Sequence, residues 1–596
     1  MLATRLHTWL IGKPNRSSIG FWLGASLLVS LLYSLPALRD AFSSAYVIQD
    51  DARQHVFWLR RFLDPELFPN DLMADYFQSV APWGYTTLYR LFAILGVDPV
   101  LLSKLLPPVL GLITTVYCFG VGIQILPLPM VGFTTATLLN QNLWMRDDLV
   151  SATPGAFFYP IFLAFLYYLL RGSLLPCCIA IALQGLFYPQ GIFLSAGVLL
   201  LRLVDWSNKR PRLTQDRAII RLSLAGLAVA AGVIGLYALK SSQFGEVITL
   251  AEARALPAFT APGWSAFFSD DPIEFWFCGK RSGLMPTEWC DLAKSQDHFN
   301  WGLLLLRFPP LGLGLLLPLL IVWRNSWPLA QQISAAVWIL PQTLLVSLLM
   351  FLIAHPMAFK LHLPNRYSEH SLRILLALAA GVALVVLWDG AMRWLLQRGD
   401  SSRVWLALGL TAMVSSSLIF YPFSLEIDNA RFPVTGYIEG EHPGLYQFLA
   451  QQPKDIVIAS LTEEANQLPS FAQRSLLAGG EGYLLPYHPH YFAALSQRLI
   501  DLLQAQYSPN LQRVKDVIQR YGIDFWLLDR DSFSADFSDS KAYRSSLFAQ
   551  FPEVAPSIQA QLQAGTLPAL EDAAKGCAAY REPGVRLLRA ECLMRK

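Results

Sequence analysis

Charge is what this sequence has least of. Only 15% of its 596 residues are Asp, Glu, Lys or Arg, while 54% are hydrophobic, and the mean hydropathy is +0.39. So few charges cannot keep a chain of this size in water, which excludes a soluble enzyme and makes this a polytopic membrane protein. The net charge of +3 offers no basic face for nucleic acid. Cysteine is scarce too, with seven residues and no close Cys-x-x-Cys pair, so a structural zinc site is excluded. A phosphate-binding glycine loop, an internal repeat and a low-complexity tract are all missing. So is a signal-peptide cleavage pattern, and the apolar run 19–38, preceded by Arg5, Lys13 and Arg16, reads as a retained first span with a cytoplasmic N-terminus, 1–18.

What the sequence has is a succession of membrane-length apolar runs. They fall at 19–38, 101–126, 127–143, 154–170, 174–203, 219–239, 302–323, 330–354, 372–388 and 404–423. The run 174–203 decides the topology. The loop after it carries Lys209, Arg210, Arg212, Arg217 and Arg221, and positive loops stay in the cytoplasm, which requires two crossings broken at Tyr188-Pro189-Gln190. Arg393, Arg398 and Arg403 mark a later cytoplasmic loop. The count is about eleven spans within 19–423, with external loops at 39–99, 144–153, 240–300 and 355–370.

From 424 onward hydropathy falls, and 424–596 reads as an extracytoplasmic α/β domain. Segments 455–460 and 523–528 are buried-strand patterns, 491–506 and 511–521 are helical, and Glu582-Pro583-Gly584 marks a hairpin. Cys278 with Cys290 and Cys577 with Cys592 form two short-range pairs on the same outer side, the arrangement of disulfides in an oxidising compartment. Cys118, Cys177 and Cys178 lie in apolar runs instead.

Chemistry gathers in three external loops. Segment 46–63 places Asp50 and Asp51 at the start of a helix, Ala52 to Leu63, with an apolar face and an Arg53, Arg60, Arg61 edge, which reads as lying on the membrane surface. One aspartate suffices to cap that helix, so the second is free for other work. Segment 144–153 carries Arg146, Asp147 and Asp148, and 360–373 carries Lys360, Arg366 and Arg373. His55 reads as a solvated interfacial histidine, and Glu288 as a loop surface residue. Carboxylates opposite such cations suit transfer of a sugar from a lipid-linked phosphate. The cations, alone or with a divalent metal, hold the leaving phosphate while a carboxylate takes the acceptor's proton.

The order of these features resembles the GT-C superfamily of polytopic glycosyltransferases, which includes protein O-mannosyltransferases, aminoarabinose transferases and oligosaccharyltransferase catalytic subunits. The resemblance rests on Asp50–Asp51 in the first loop, Asp147–Asp148 running into Pro154-Gly155-Ala156-Phe157-Phe158-Tyr159-Pro160, the paired short spans at Tyr188-Pro189-Gln190 and the C-terminal α/β domain. It implies an inverting transfer in a bacterial inner membrane from a polyprenyl-phosphate-linked sugar to a glycan, lipid or protein acceptor. In that reading Asp50 or Asp51 is the catalytic or metal-binding acid, Asp148 completes a Mg or Mn site, Asp147 and Asp148 support, and Lys360, Arg366 and Arg373 bind the donor phosphate. Two departures stand out. No Trp-Trp-Asp-Tyr-Gly occurs in the C-terminal domain, and the second loop reads Asp-Asp rather than Asp-x-Asp. The rival expectations are a transporter or flippase for a lipid-linked substrate, and a non-catalytic member of the same fold.

Overall fold

The structure, a computed structural model, describes residues 2–205, 211–240, 242–295, 298–397, 401–427, 430–536 and 543–596. Lys209, Arg210 and Arg398 of the basic loops lie outside the described residues. Six helices among those described are long and apolar enough to cross a membrane: Arg16–Ala41, Pro99–Ile125, Arg217–Ala238, Ala335–Ala354, Asn365–Leu396 and Ser401–Ser424. A seventh is a broken pair, Trp301–Arg307 and Pro309–Val322, bent by 98° where Pro309 cannot continue the preceding helix. Pro154–Leu170, Leu174–Phe187 and Gly191–Arg202 are apolar but shorter. The last two break at Tyr188-Pro189-Gln190, as the basic loop after them requires.

The helix Pro129–Trp144 runs through the middle of the bundle, and polar glue and small residues hold it there. Asn140 donates to Thr115 Oγ1 at 2.8 Å and accepts from Ser30 Oγ at 3.0 Å, which links three helices with every partner buried. In an apolar surround such bonds and close van der Waals approach replace the hydrophobic drive. Gly381 lets Asn365–Leu396 press on this helix, since a Cβ there would stand 2.8 Å from Thr135 N and 2.9 Å from its Cα.

At the C-terminal end a five-stranded sheet runs in the order Ser475–Leu476, Val457–Ser460, Phe525–Asp529, Val585–Arg589, Ala578–Glu582. The first three strands are parallel, and the last two form the hairpin expected around Pro583-Gly584. Helices Pro489–Gln506 and Leu511–Tyr521 lie between strands in the chain. Both cysteine pairs are bonded, Cys278–Cys290 and Cys577–Cys592. This domain is laced to the first loop. Val47–Gln49 pairs antiparallel with Tyr437–Glu439, and Tyr76 stacks on Tyr491 at 3.7 Å.

The first loop departs from expectation. The helix stops after Asp50–His55, and a 3₁₀ turn, Phe57–Phe62, follows. Val56, Phe57, Trp58 and Leu59 are all buried, so no single apolar stripe faces lipid. The basic edge is spent inside the protein: Arg60 pairs with Asp98 at 2.7 Å and donates to Ser470 O, Arg61 pairs with Asp75 at 2.8 Å, and Arg53 with Asp50. The C-terminal domain covers what periodicity assigns to the membrane surface. His55 is likewise not solvated; it meets Phe77 edge-on and burial pushes its pKa down to about 4.

The glycine contact gives a direct test. Gly381→Ala should cost about 1–3 kcal/mol by overpacking against backbone atoms that cannot yield. Gly409→Ala, with no neighbour within 4 Å of the added Cβ, should leave the unfolding midpoint in detergent unchanged.

Candidate active site

The site begins at the strand Val47–Gln49. Its ladder with Tyr437–Glu439 continues one bond further, Asp50 N donating to Gly436 O at 3.0 Å. The helix that follows is capped by Gln49, whose Oε1 accepts from Ala52 N at 3.1 Å. Neither aspartate is needed as the cap. Asp50 is held by Arg53 at 2.6 Å. Asp51 makes no side-chain hydrogen bond or ion pair among the described residues; it is exposed, and the charges of Asp50, Asp148, Lys280 and Arg366 all bear on it.

The second acidic loop meets the first through one side chain. Gln49 Nε2 donates to Asp147 Oδ2 at 2.9 Å, and Arg146 stands 3.5 Å from the other oxygen. Gly436, at φ +60°, makes room, because a Cβ there would fall 2.6 Å from Asp147 Oδ2. Asp148 turns the other way. Its Oδ2 accepts from Arg373 Nη1 at 2.7 Å, and Arg373 also forks onto Glu288 at 2.7 and 2.8 Å and donates to Tyr159 Oη at 2.6 Å. Arg373 is 1% exposed and Glu288 0%. Glu288 is therefore not a surface residue, and Arg373 is a bound guanidinium, not a free one: the helix starts at Asn365 and carries it inside.

Arg366, one-third exposed, pairs with Glu369, which also accepts from Asn365 Nδ2 at 3.1 Å. It still bears electrostatically on Asp51 and Asp148. Lys360 does not join the group; it is exposed and bears on Glu252. Sequence reading passed over Lys280, which does join. It bears on Asp50, Asp51 and Asp147 from a tight turn inside the Cys278–Cys290 loop. Its place between Gly279 and Gly283 in a disulfide-closed segment was the available signal.

The carboxyls are tuned apart. Burial, then the Asp51 charge, pushes Asp147 up to about 6. Burial also raises Asp51, with Asp50 and Asp148 adding like charge, and it raises Asp50 against the pull of Arg53. Asp148 goes the other way: burial alone would raise it, but Arg373, His370 and Arg146 hold it well below the usual carboxylate range.

A metal has one candidate seat among the described residues. Asp148, Glu369 and His370 offer ligand atoms within 4.8 Å of one another, whereas Asp50, Asp51 and Asp148 do not gather so. The donor set fits an ion-pair network better than a metal. Asp148 already faces Arg373, and Glu369 faces Arg366. His370 is bracketed by two tyrosines, Tyr159 Oη 2.8 Å from Nδ1 and Tyr188 Oη 3.3 Å from Nε2.

The chain matches no protein-family model, and no curated protein matches its sequence. Solved structures do match in fold. The oligosaccharyltransferase of Archaeoglobus fulgidus in its apo form aligns over 89% of this chain and 71% of its own, at 11% identity and a TM-score of 0.55. The same organism's oligosaccharyltransferase AglB, in complex with an inhibitory peptide and a dolichol-phosphate, covers 90% of this chain and 72% of its own, at 11% and 0.53. A mutant of arabinofuranosyltransferase AftD from Mycobacteria covers 97% of this chain but only 42% of its own, at 12% and 0.50. The architecture they share is the GT-C glycosyltransferase fold. This chain is a membrane protein of that fold with a sheet-containing C-terminal region.

The buried network supplies a stability test. Glu288→Ala strands the Arg373 guanidinium without its bidentate partner and should cost about 3–5 kcal/mol, read as loss of folded protein in detergent. Glu288→Gln, whose amide oxygen still accepts from Arg373, should lose less.

Proposed function

We propose that this chain is an integral membrane glycosyltransferase that moves a sugar from a polyprenyl-phosphate donor to an acceptor outside the cytoplasm. The observation that carries the reading is Asp51: a carboxylate with no partner among the described residues, beside Asp50, Asp147 and Asp148, which are all engaged. A carboxylate kept free, with its pKa raised, is matched to accepting a proton near neutral pH. The likeness of fold to two enzymes, one solved with a dolichol-phosphate, supports the same reading.

In this mechanism the acceptor hydroxyl approaches Asp51. Its oxygen attacks the sugar's anomeric carbon, its proton passes to Asp51, and the bond from that carbon to the phosphate oxygen breaks with its electron pair leaving on the phosphate. Attack opposite the leaving group inverts the anomeric centre. Phosphate leaves readily, so one essential carboxylate suffices. Asp50 braces the helix start through Arg53, Asp147 and Gln49 fix the spacing of the two loops, and Arg373 anchors Asp148. Arg366 bears on Asp51 and Asp148 from the helix Asn365–Leu396. No step is routed through a divalent cation, since Asp148 and Glu369 are already engaged by Arg373 and Arg366. The N-terminus lies in the cytoplasm of a bacterial inner membrane and the C-terminal domain outside, a placement both disulfides support.

Membranes carrying the wild type should transfer radiolabelled sugar from polyprenyl-phosphate donors. Asp51→Asn should lose at least about a hundredfold, the usual contribution of a general base, while Asp50→Asn should lose less. No donor consumption, with labelled lipid changing leaflet instead, would replace the transferase with a flippase. The pH profile follows from the raised carboxyls. As pH falls, Asp51, whose carboxyl is raised by burial and by the charges of Asp50 and Asp148, takes up a proton, so kcat/KM should fall on the acid side. Asp50→Asn, by removing the larger of those like charges, should move that limb to lower pH; a limb that stays put would exclude Asp51 as the base.

A further inference from the structure

The phosphate that leaves needs a positive charge, and most cations around the acidic loops already have an owner. Arg53 is held by Asp50, Arg146 by Asp147, Arg366 by Glu369, and Arg373 by Glu288 and Asp148. Among these and Lys280, only Lys280 makes no ion pair and no side-chain hydrogen bond among the described residues. It is exposed, like Asp51, and it bears on Asp50, Asp51 and Asp147. Among the aspartates and cations named here, the two without a partner are thus one carboxylate and one ammonium.

The turn that carries Lys280 is built to hold still. The Cys278–Cys290 bond closes the loop, Gly283 N donates to Gly279 O at 2.8 Å, and Asn365 Nδ2 donates to the Lys280 carbonyl at 2.8 Å. Neither glycine has room for a side chain: a Cβ on Gly279 would strike Ser282 Oγ at 2.2 Å, and one on Gly283 would strike Gly279 N at 2.5 Å. The same loop continues into the helix Thr287–Ala293, whose Glu288 is locked to Arg373. The backbone of Lys280 is therefore pinned at both sides while its ammonium stays free.

We propose that Lys280 is the residue that receives the donor's phosphate, its ammonium filling the place a divalent metal would otherwise take. This rests on the transferase reading above. As the bond from the anomeric carbon to the phosphate oxygen breaks, the extra negative charge on the polyprenyl phosphate is met by Lys280, and no proton need be transferred to it. The competing seat, Asp148 with Glu369 and His370, is already neutralised by Arg373 and Arg366.

The test measures binding of a polyprenyl monophosphate to the purified full chain in detergent, with inorganic phosphate as competitor, and Mn²⁺ binding in the absence of lipid. Lys280→Met should weaken the lipid phosphate by about tenfold or more, as loss of a charge-assisted contact does, and Lys280→Arg should restore most of it. Asp51→Asn should bind the lipid as well as wild type or better. Turnover of the wild type should survive a chelator, and Mn²⁺ should bind Lys280→Met more tightly than wild type, since the carboxylates then lack their cation. Lys280 is exposed, so an unchanged unfolding midpoint would show that the variant folds. Equal lipid binding by Lys280→Met and wild type, or turnover abolished by chelator and restored by Mg²⁺, would overturn the assignment while leaving the transferase intact. Inorganic phosphate displacing the lipid at equal concentration would overturn the lipid as the source of the phosphate. A wild type that binds no polyprenyl phosphate would sink both readings together.

Discussion

A guanidinium without water has to be matched on every side, and Arg373 is the place where this chain meets that demand. Its two faces of N–H donors draw Glu288 from the 240–300 loop, Asp148 from the second acidic loop and Tyr159 from the helix Pro154–Leu170 onto one helix, Asn365–Leu396. Such a network is weak evidence for stability, because desolvating the charges offsets much of their attraction. Its effect is on specificity of arrangement: any register in which one member is displaced leaves a buried charge alone. Segments far apart in the chain are thereby compelled to meet at Arg373.

A second tie works through backbone. Pairing of Val47–Gln49 with Tyr437–Glu439 extends the C-terminal domain onto the first loop, and Gly436 at its end permits Asp147 to come within reach of Gln49. Gln49 then has both roles that the site needs from one residue. Its oxygen caps the helix that bears Asp50 and Asp51, and its nitrogen holds Asp147. With capping done by a neutral amide, Asp51 keeps its lone pairs.

Much of this was legible in the sequence, and the rest was hidden for identifiable reasons. Long apolar runs announce helices because nothing else satisfies backbone groups in lipid, and Pro189 announces the break between 187 and 191. The cysteine pairs could be read from spacing and side. Asp50, Asp51, Asp147 and Asp148 could be grouped because two loops fell on one face. The misreading of 52–63 has a physical cause: an apolar, arginine-edged stripe looks the same whether lipid or a covering domain lies against it, and here Ser470, Asp75 and Asp98 satisfy the arginines. Glu288 was invisible because its partner is 85 residues away. Arg373 was misjudged as available because sequence shows a cation's presence but not its owner.

Ownership of charge is what separates structure from chemistry at this site. A paired arginine can turn to an incoming phosphate only by abandoning a carboxylate, so its attraction for substrate is discounted by the bond it breaks. An unpaired ammonium held by a rigid turn suffers no such discount, and neither does an unpaired carboxylate facing a hydroxyl. Keeping two such charges unsatisfied costs the fold stability, since desolvation raises the Asp51 carboxyl and lowers the Lys280 ammonium. Folds retain such local conflicts where substrate resolves them. Asp51 and Lys280, each without a partner among the described residues, therefore suit a ligand that brings a proton to one and a negative charge to the other, and an acceptor hydroxyl beside a departing phosphate is such a ligand.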